Sequence, residues 1–148
     1  QARKLLEKMM AEGCAPNVVT YCTLANGFFK SNRLEEGIKL FNDMSKRGVA
    51  PNTVSYNTLI HGCFQAGRVG LAVARFGEMT SIGPPPNIRS YNIVLAGLFF
   101  NGEVSKALRK FEDIQKARND LDTVTYTIVI HGMCKACMVA EAFDLYCS

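Results

Sequence analysis

A period runs through this chain. A hydroxyl residue followed by tyrosine stands at Thr20-Tyr21, Ser55-Tyr56, Ser90-Tyr91 and Thr125-Tyr126, each pair 35 residues after the last. Gly27, Gly62, Gly97 and Gly132 keep the same step, as do the aromatics Phe41, Phe76, Phe111 and Tyr146. So do the apolar residues Met9, Met44, Met79 and Ile114. Pro16-Asn17, Pro51-Asn52 and Pro86-Asn87 recur in register, with Leu121-Asp122 as the degenerate fourth. These columns agree without insertion, so the chain is an array in which each copy is one supersecondary unit. Residues 1–17 are read as the tail of a preceding copy. The repeats run over 18–52, 53–87 and 88–122, and a truncated copy over 123–148.

Within one copy the pattern is helical. Tyr56, Leu59, Ile60, Cys63 and Phe64 fall at the spacing of an amphipathic stripe, and Val69, Ala72, Phe76 and Met79 form a second. Gly67 separates them. Gly83-Pro84-Pro85-Pro86 ends the second, because proline has no N–H to donate and cannot continue the turn. A single hairpin cannot bury both stripes, so neighbours must stack. The expectation is an all-α, right-handed α-solenoid of helix–turn–helix hairpins. The small residues Ala2, Gly37, Ala72, Ala107 and Ala142, also 35 apart, fit close helix packing in it.

Composition excludes several alternatives. A hydrophobic fraction of 48% is too high for a disordered tail. No uninterrupted apolar run reaches the length of a membrane span. The balance of 17 basic and 13 acidic residues, net +4, permits a polyanionic partner without requiring one. Six cysteines suit buried thiols in a helical array as well as a disulfide scaffold, which needs an oxidising compartment. The chain opens on Gln1-Ala2-Arg3-Lys4-Leu5-Leu6, already inside a helical pattern and with no signal or transit peptide visible. It is therefore read as a piece of a longer array. Uncapped ends are expected to expose apolar stacking faces and to favour end-to-end self-association.

A two-helix unit of this length lies close to the tetratricopeptide period of about 34, but that family's signature tryptophan is missing, since the chain has no Trp. Instead the tracts Val18-Val19-Thr20-Tyr21, Thr53-Val54-Ser55-Tyr56-Asn57-Thr58-Leu59-Ile60-His61-Gly62 and Asp43-Met44-Ser45-Lys46-Arg47-Gly48-Val49-Ala50-Pro51-Asn52 resemble the pentatricopeptide repeat family. The uniform repeat length is similar to its pure P-type arrays, found mostly in plants. That resemblance implies a single-stranded RNA partner, about one base per repeat, in a mitochondrion or chloroplast. It implies no cofactor, metal or small-molecule substrate.

The resemblance also assigns roles. The base would be read by the residue after the Ser/Thr-Tyr pair together with the last residue of the same repeat. These are Cys22 with Asn52, Asn57 with Asn87, and Asn92 with Asp122; Asn17 closes the preceding copy and Thr127 opens the truncated one. Val19, Val54, Arg89 and Val124 would pack on the bases, Arg89 as a guanidinium plane in place of an aliphatic wedge. The Asn/Asn pair implies cytosine and the Asn/Asp pair uracil. The chemistry agrees, since uracil offers an N3–H to a carboxylate and cytosine an N3 acceptor to an amide N–H. Thr127 suggests a purine. The Cys22/Asn52 pair receives no base, because a thiol hydrogen-bonds poorly. With parallel polarity the chain would read 5′-N-C-U-purine-3′. Arg118 and Leu121 depart from the glycine and proline usual before the last residue of a repeat. Lys30 and Lys135 hold equivalent places late in the first helix and imply phosphate contacts, though Gln65 and Phe100 interrupt that line. Stacking contributes roughly 1–3 kcal/mol per base against an association cost of about 4–15 kcal/mol, so weak binding is expected of this length of array.

Other sites rank lower. His131, Cys134 and Cys137 form an H-x-x-C-x-x-C string, but a zinc site needs a fourth ligand. His61 occupies the His131 column without a CxxC, and Cys137 stands where Gly67 and Gly102 stand in other copies. The acidic pairs Glu35-Glu36 and Glu112-Asp113 read as solvated helix faces, and no nucleophile–base set or phosphate loop suggests an enzyme. The competing function is a solenoid scaffold that grips a protein or peptide. Small planar polar groups at Asn57, Asn87, Asn92 and Asp122 fit base edges better than a peptide groove. Asparagine after proline is also a common helix cap, which accounts for Asn52 and Asn87 but not for Asn57 and Asn92 inside a helix.

Overall fold

The computed structural model describes residues 2–118, 121–138 and 144, with the side chains of residues 2 and 3 excepted. Eight helices are present among them: α1 (Ala2–Ala11), α2 (Val18–Lys30), α3 (Leu34–Lys46), α4 (Thr53–Gln65), α5 (Val69–Ser81), α6 (Ile88–Phe100), α7 (Val104–Ala117) and α8 (Thr123–Lys135). Ala142 and Tyr146, which the period places in the small-residue and aromatic columns, lie outside the described residues, as does the side chain of Ala2.

Each first helix starts on a cap that the sequence repeats. Asn17, Asn52 and Asn87 have extended backbone, and their side-chain oxygens accept from the N–H of Thr20, Ser55 and Ser90. Those residues' hydroxyls accept in turn from the caps' own N–H, which completes a capping box. Asp122 caps α8 through the N–H of Thr125 at 2.9 Å, without the reciprocal bond of a capping box. The departures at Arg118 and Leu121 therefore leave the cap in place. The turn into the second helix needs a left-handed residue, with φ of 59°, 76°, 78° and 64° at Asn32, Gly67, Gly102 and Cys137. Cys137 thus fills a turn position that favours glycine.

Stacking follows from two aromatic columns. Phe41, Phe76 and Phe111 on the second helices meet Tyr56, Tyr91 and Tyr126 of the next hairpin edge-on, with ring centroids 5.2–5.7 Å apart. On the first helices, the rings of Phe29, Phe64 and Phe99 lie against Gly62, Gly97 and Gly132, where any Cβ would collide with them. Helices α2, α4, α6 and α8 consequently pack in succession as one layer. Helices α3, α5 and α7 form the other, each packed on its own first helix and on the next. Met44, Met79 and Ile114 are at most 2% exposed between the layers, with Gly37, Ala72 and Ala107 buried beside them. Tyr91 and Phe99 touch both of the apolar clusters and link them along the array. No helix among the described residues is long and apolar enough to cross a membrane.

Candidate nucleic-acid interface

The first turns of α2, α4, α6 and α8 present one line of side chains. Val19, Val54 and Val124 are 69%, 61% and 54% exposed, and Arg89 is exposed in the same column. Valine at that exposure, repeated in register at helix starts, contributes nothing to the core and offers an apolar face to a partner.

One turn further on, the paired residues come together across hairpins. Asn57 is 6% exposed, and its Oδ1 accepts from the Ser90 hydroxyl of the following hairpin at 2.7 Å. That same hydroxyl lies 3.0 Å from Oδ1 of Asn87 and accepts from the Asn87 N–H at 3.1 Å. The next pair repeats the arrangement. The Thr125 hydroxyl sits 2.6 Å from Oδ1 of Asn92 and 2.7 Å from Oδ1 of Asp122. Asn57 with Asn87, and Asn92 with Asp122, are thus each gathered around one hydroxyl.

The first pair differs. Cys22 is half-buried, and burial pushes its thiol above the usual cysteine range. The Ser55 hydroxyl donates to the carbonyl of Asn52 at 2.8 Å instead of crossing to the preceding hairpin. Cys22, Ser55 and Phe29 border a small apolar cavity of about 10 Å³. Thr127 is exposed and turns its hydroxyl back to the Thr123 carbonyl at 2.7 Å.

Capping orients the other member of each pair. Oδ1 of Asn52 and Asn87 is held by a backbone N–H at 2.9 Å, which directs each amide Nδ2 away from the helix. Asn17 is held likewise at 3.0 Å. Asp122 is exposed, and bonds from the Thr125 hydroxyl and then from the Thr125 N–H hold its carboxyl below the usual carboxylate value of 3.8. It is therefore ionised at neutral pH, with one oxygen engaged by the cap.

Around this last pair lies an open groove of about 520 Å³, lined among others by Arg89, Asn92, Asp122, Val124, His61 and Phe100. Its volume suits a small planar ligand. His61 is pushed below the usual histidine range, first by burial and then by the Arg89 charge, so it is neutral at pH 7. Lys30 and Lys135 are exposed in the last turns of α2 and α8. A cation there complements the helix dipole, and eight residues of rise separate Lys30 from Cys22, about 12 Å along the axis. Cys134 and Cys137 are exposed at the end of α8 and in its turn.

Ser90 and Thr125 stand in the hydroxyl column that marks the period, yet their bonds to Asn57 and Asn92 reach into the neighbouring hairpin and leave no trace in local sequence. The Phe29, Phe64 and Phe99 column had a signal of its own, the same 35-residue step.

Comparison with known proteins places the fold. The PPR repeat family matches residues 23–64, 51–99 and 86–135, and the PPR repeat matches residues 124–148. No curated protein matches. Among solved structures, maize pentatricopeptide repeat protein PPR10 superposes on 97% of this chain with a TM-score of 0.83 at 21% identity. The same protein in complex with an 18-nt psaJ RNA element gives 0.82 at 20% identity over 97% of the chain. The PPR domain of Arabidopsis thaliana protein-only RNase P 1, solved with tRNA, gives 0.71 at 17% identity, covering 97% of this chain and 77% of that one. This chain spans about a fifth of PPR10, 20% and 21% of the two chains compared. The hairpins are those of a right-handed PPR solenoid, and with family matches reaching from residue 23 to residue 148 the chain belongs to the pentatricopeptide repeat family.

Proposed function

We propose that this chain binds single-stranded RNA along its first-helix layer and reads about one base per repeat without catalysing a reaction on it. The observation that carries the reading is the pairing of Asn57 with Asn87 and of Asn92 with Asp122, each around one hydroxyl, beside exposed Val54, Arg89 and Val124. A base stacked between Val54 and Arg89 meets the first pair, and one between Arg89 and Val124 meets the second. PPR10, whose fold the chain shares, is solved with an RNA element.

The caps supply a chemical reason for base choice. With Oδ1 of Asn87 held by Ser90, its Nδ2 is left to donate, which suits N3 of cytosine. Thr125 holds one oxygen of Asp122, and the ionised carboxylate keeps acceptor lone pairs beyond those that Thr125 and Asn92 engage, which suits the N3–H of uracil. Cys22 with Asn52 brings no second oxygen or amide to the base and gives a relaxed position, and Thr127 favours a purine. The sequence read is 5′-N-C-U-purine-3′, with Lys30 and Lys135 available to phosphates. In a mitochondrion or chloroplast, an array occupying a transcript in this way would shield it from nucleases, remodel it or recruit a processing partner.

The test is fluorescence titration of single-stranded RNA oligomers with the wild type and Asp122→Asn. The expected outcome is that preference at the base facing this pair moves from uracil toward cytosine. Binding that ignores both base and substitution would reduce the interaction to net charge. No binding even at low salt would favour a protein or peptide partner.

A further inference from the structure

The hydroxyls that gather the reading pairs belong to the following repeat. Ser90 opens the repeat that carries Asn92 and Asp122, yet it bonds Asn57 and the cap Asn87, and Thr125 likewise serves Asn92 and Asp122. Ser90 is 1% exposed and Thr125 fully buried, so neither touches a base. A hydroxyl has one hydrogen; at Thr125 the two contacts, 2.6 Å and 2.7 Å, are nearly equal and share it between Asn92 and Asp122. At Ser90 the shorter contact, 2.7 Å against 3.0 Å, assigns it to Oδ1 of Asn57. That bond fixes the amide of Asn57 with its Nδ2 directed away from Ser90, and no protein acceptor among the described residues meets that nitrogen. Without the bond the carboxamide is free to turn about its last torsion, which is broad and roughly two-fold. Donor and acceptor would then exchange places before the base.

The Cys22 repeat is an internal control. It offers no side-chain oxygen upstream, and the Ser55 hydroxyl turns to the Asn52 carbonyl at 2.8 Å. The crossing bond forms where the upstream reading residue is asparagine and is missing where it is cysteine.

We infer that the third residue of each repeat, Ser90 or Thr125, is a specificity-determining positioning residue for the base read by the repeat before it. The recognition unit is then one repeat plus the third residue of the next. This rests on the RNA-reading proposal and extends it to residues that contact no base.

The test uses the whole 148-residue chain and short single-stranded RNAs that differ at one base, titrated at low salt. Ser90→Ala is expected to lower the cytosine-over-uracil ratio at the Asn57/Asn87 position about two- to tenfold, the share of one net hydrogen bond. Uracil preference at Asn92/Asp122, in the repeat that contains the mutation, should persist, and Ser90→Thr should restore the cytosine ratio, since threonine carries a hydroxyl on the same Cβ. A gain-of-function arm avoids dependence on a destabilised variant. Cys22→Asn is expected to create cytosine preference at the first position, and Cys22→Asn with Ser55→Ala to lack it. Discrimination in the wild type with no change in Ser90→Ala, or an equal loss at both positions, overturns the inference. Equal gain with and without the Ser55 hydroxyl overturns it as well. A wild type that treats all bases alike overturns the RNA-reading proposal itself, and the inference with it.

Discussion

At the scale of single residues, the helix cap and the proposed base reader are one side chain. Asn87 ends the Pro-rich turn as the cap of α6, and the bond that makes it a cap also decides which of its atoms faces outward. The two explanations that its sequence context leaves open, cap residue and base reader, are compatible because they use opposite ends of one amide. Asp122 does the same with a carboxylate, and this gives a pH signature. Hydrogen bonds from Thr125 depress its pKa in the folded state below the ordinary 3.8. A depressed carboxyl stabilises the fold above its unfolded pKa, and that contribution is lost as pH falls through the folded value. Melting temperature measured from about pH 6 down to pH 3 should therefore fall further for the wild type than for Asp122→Asn. Uracil preference should hold constant from about pH 8 to pH 5, since Asp122 remains charged throughout. Equal acid sensitivity of the two proteins would show that the Thr125 bonds do not hold the carboxylate.

At the scale of elements, glycine marks where two helices come closest, and its role changes along one column. A Cβ at Gly97 would strike the Phe64 ring, whereas a Cβ at Gly27 meets nothing within 4 Å. Gly97→Ala should cost about 1–3 kcal/mol through overpacking. Gly27→Ala should gain up to about 1 kcal/mol from helix propensity alone. Chemical denaturation of the two variants checks this, and like-signed effects would refute the ring-on-glycine packing. Helix positions were readable in the sequence because the stripe around Tyr56, Leu59 and Ile60 and the breakers at Gly67 and Gly83-Pro84 act locally. The partner of each glycine was not, since Phe64 and Gly97 lie 33 residues apart and only stacking brings them together. The hydroxyl bridges from Ser90 and Thr125 were not legible for the same reason. Their column was visible as a period, but its bonds cross between hairpins.

At the scale of the whole molecule, the array is a succession of similar interfaces, in which Phe41 on Tyr56, Phe76 on Tyr91 and Phe111 on Tyr126 repeat one contact. The proposed interface is a line of small sites, each weak by itself, and the excess of basic over acidic residues, 17 to 13, would add a salt-sensitive attraction that carries no sequence information. The most direct measurement separates the two. Asn87→Asp combined with Asp122→Asn exchanges the cap chemistry of adjacent sites and leaves the net charge at +4. The wild type and the exchanged protein should be titrated with two RNAs of identical composition, one carrying C-U and the other U-C at the two positions. The wild type should prefer C-U and the exchanged protein U-C. If both proteins bind both RNAs alike, the paired side chains do not read bases, and the account of this face as a base-reading surface is wrong.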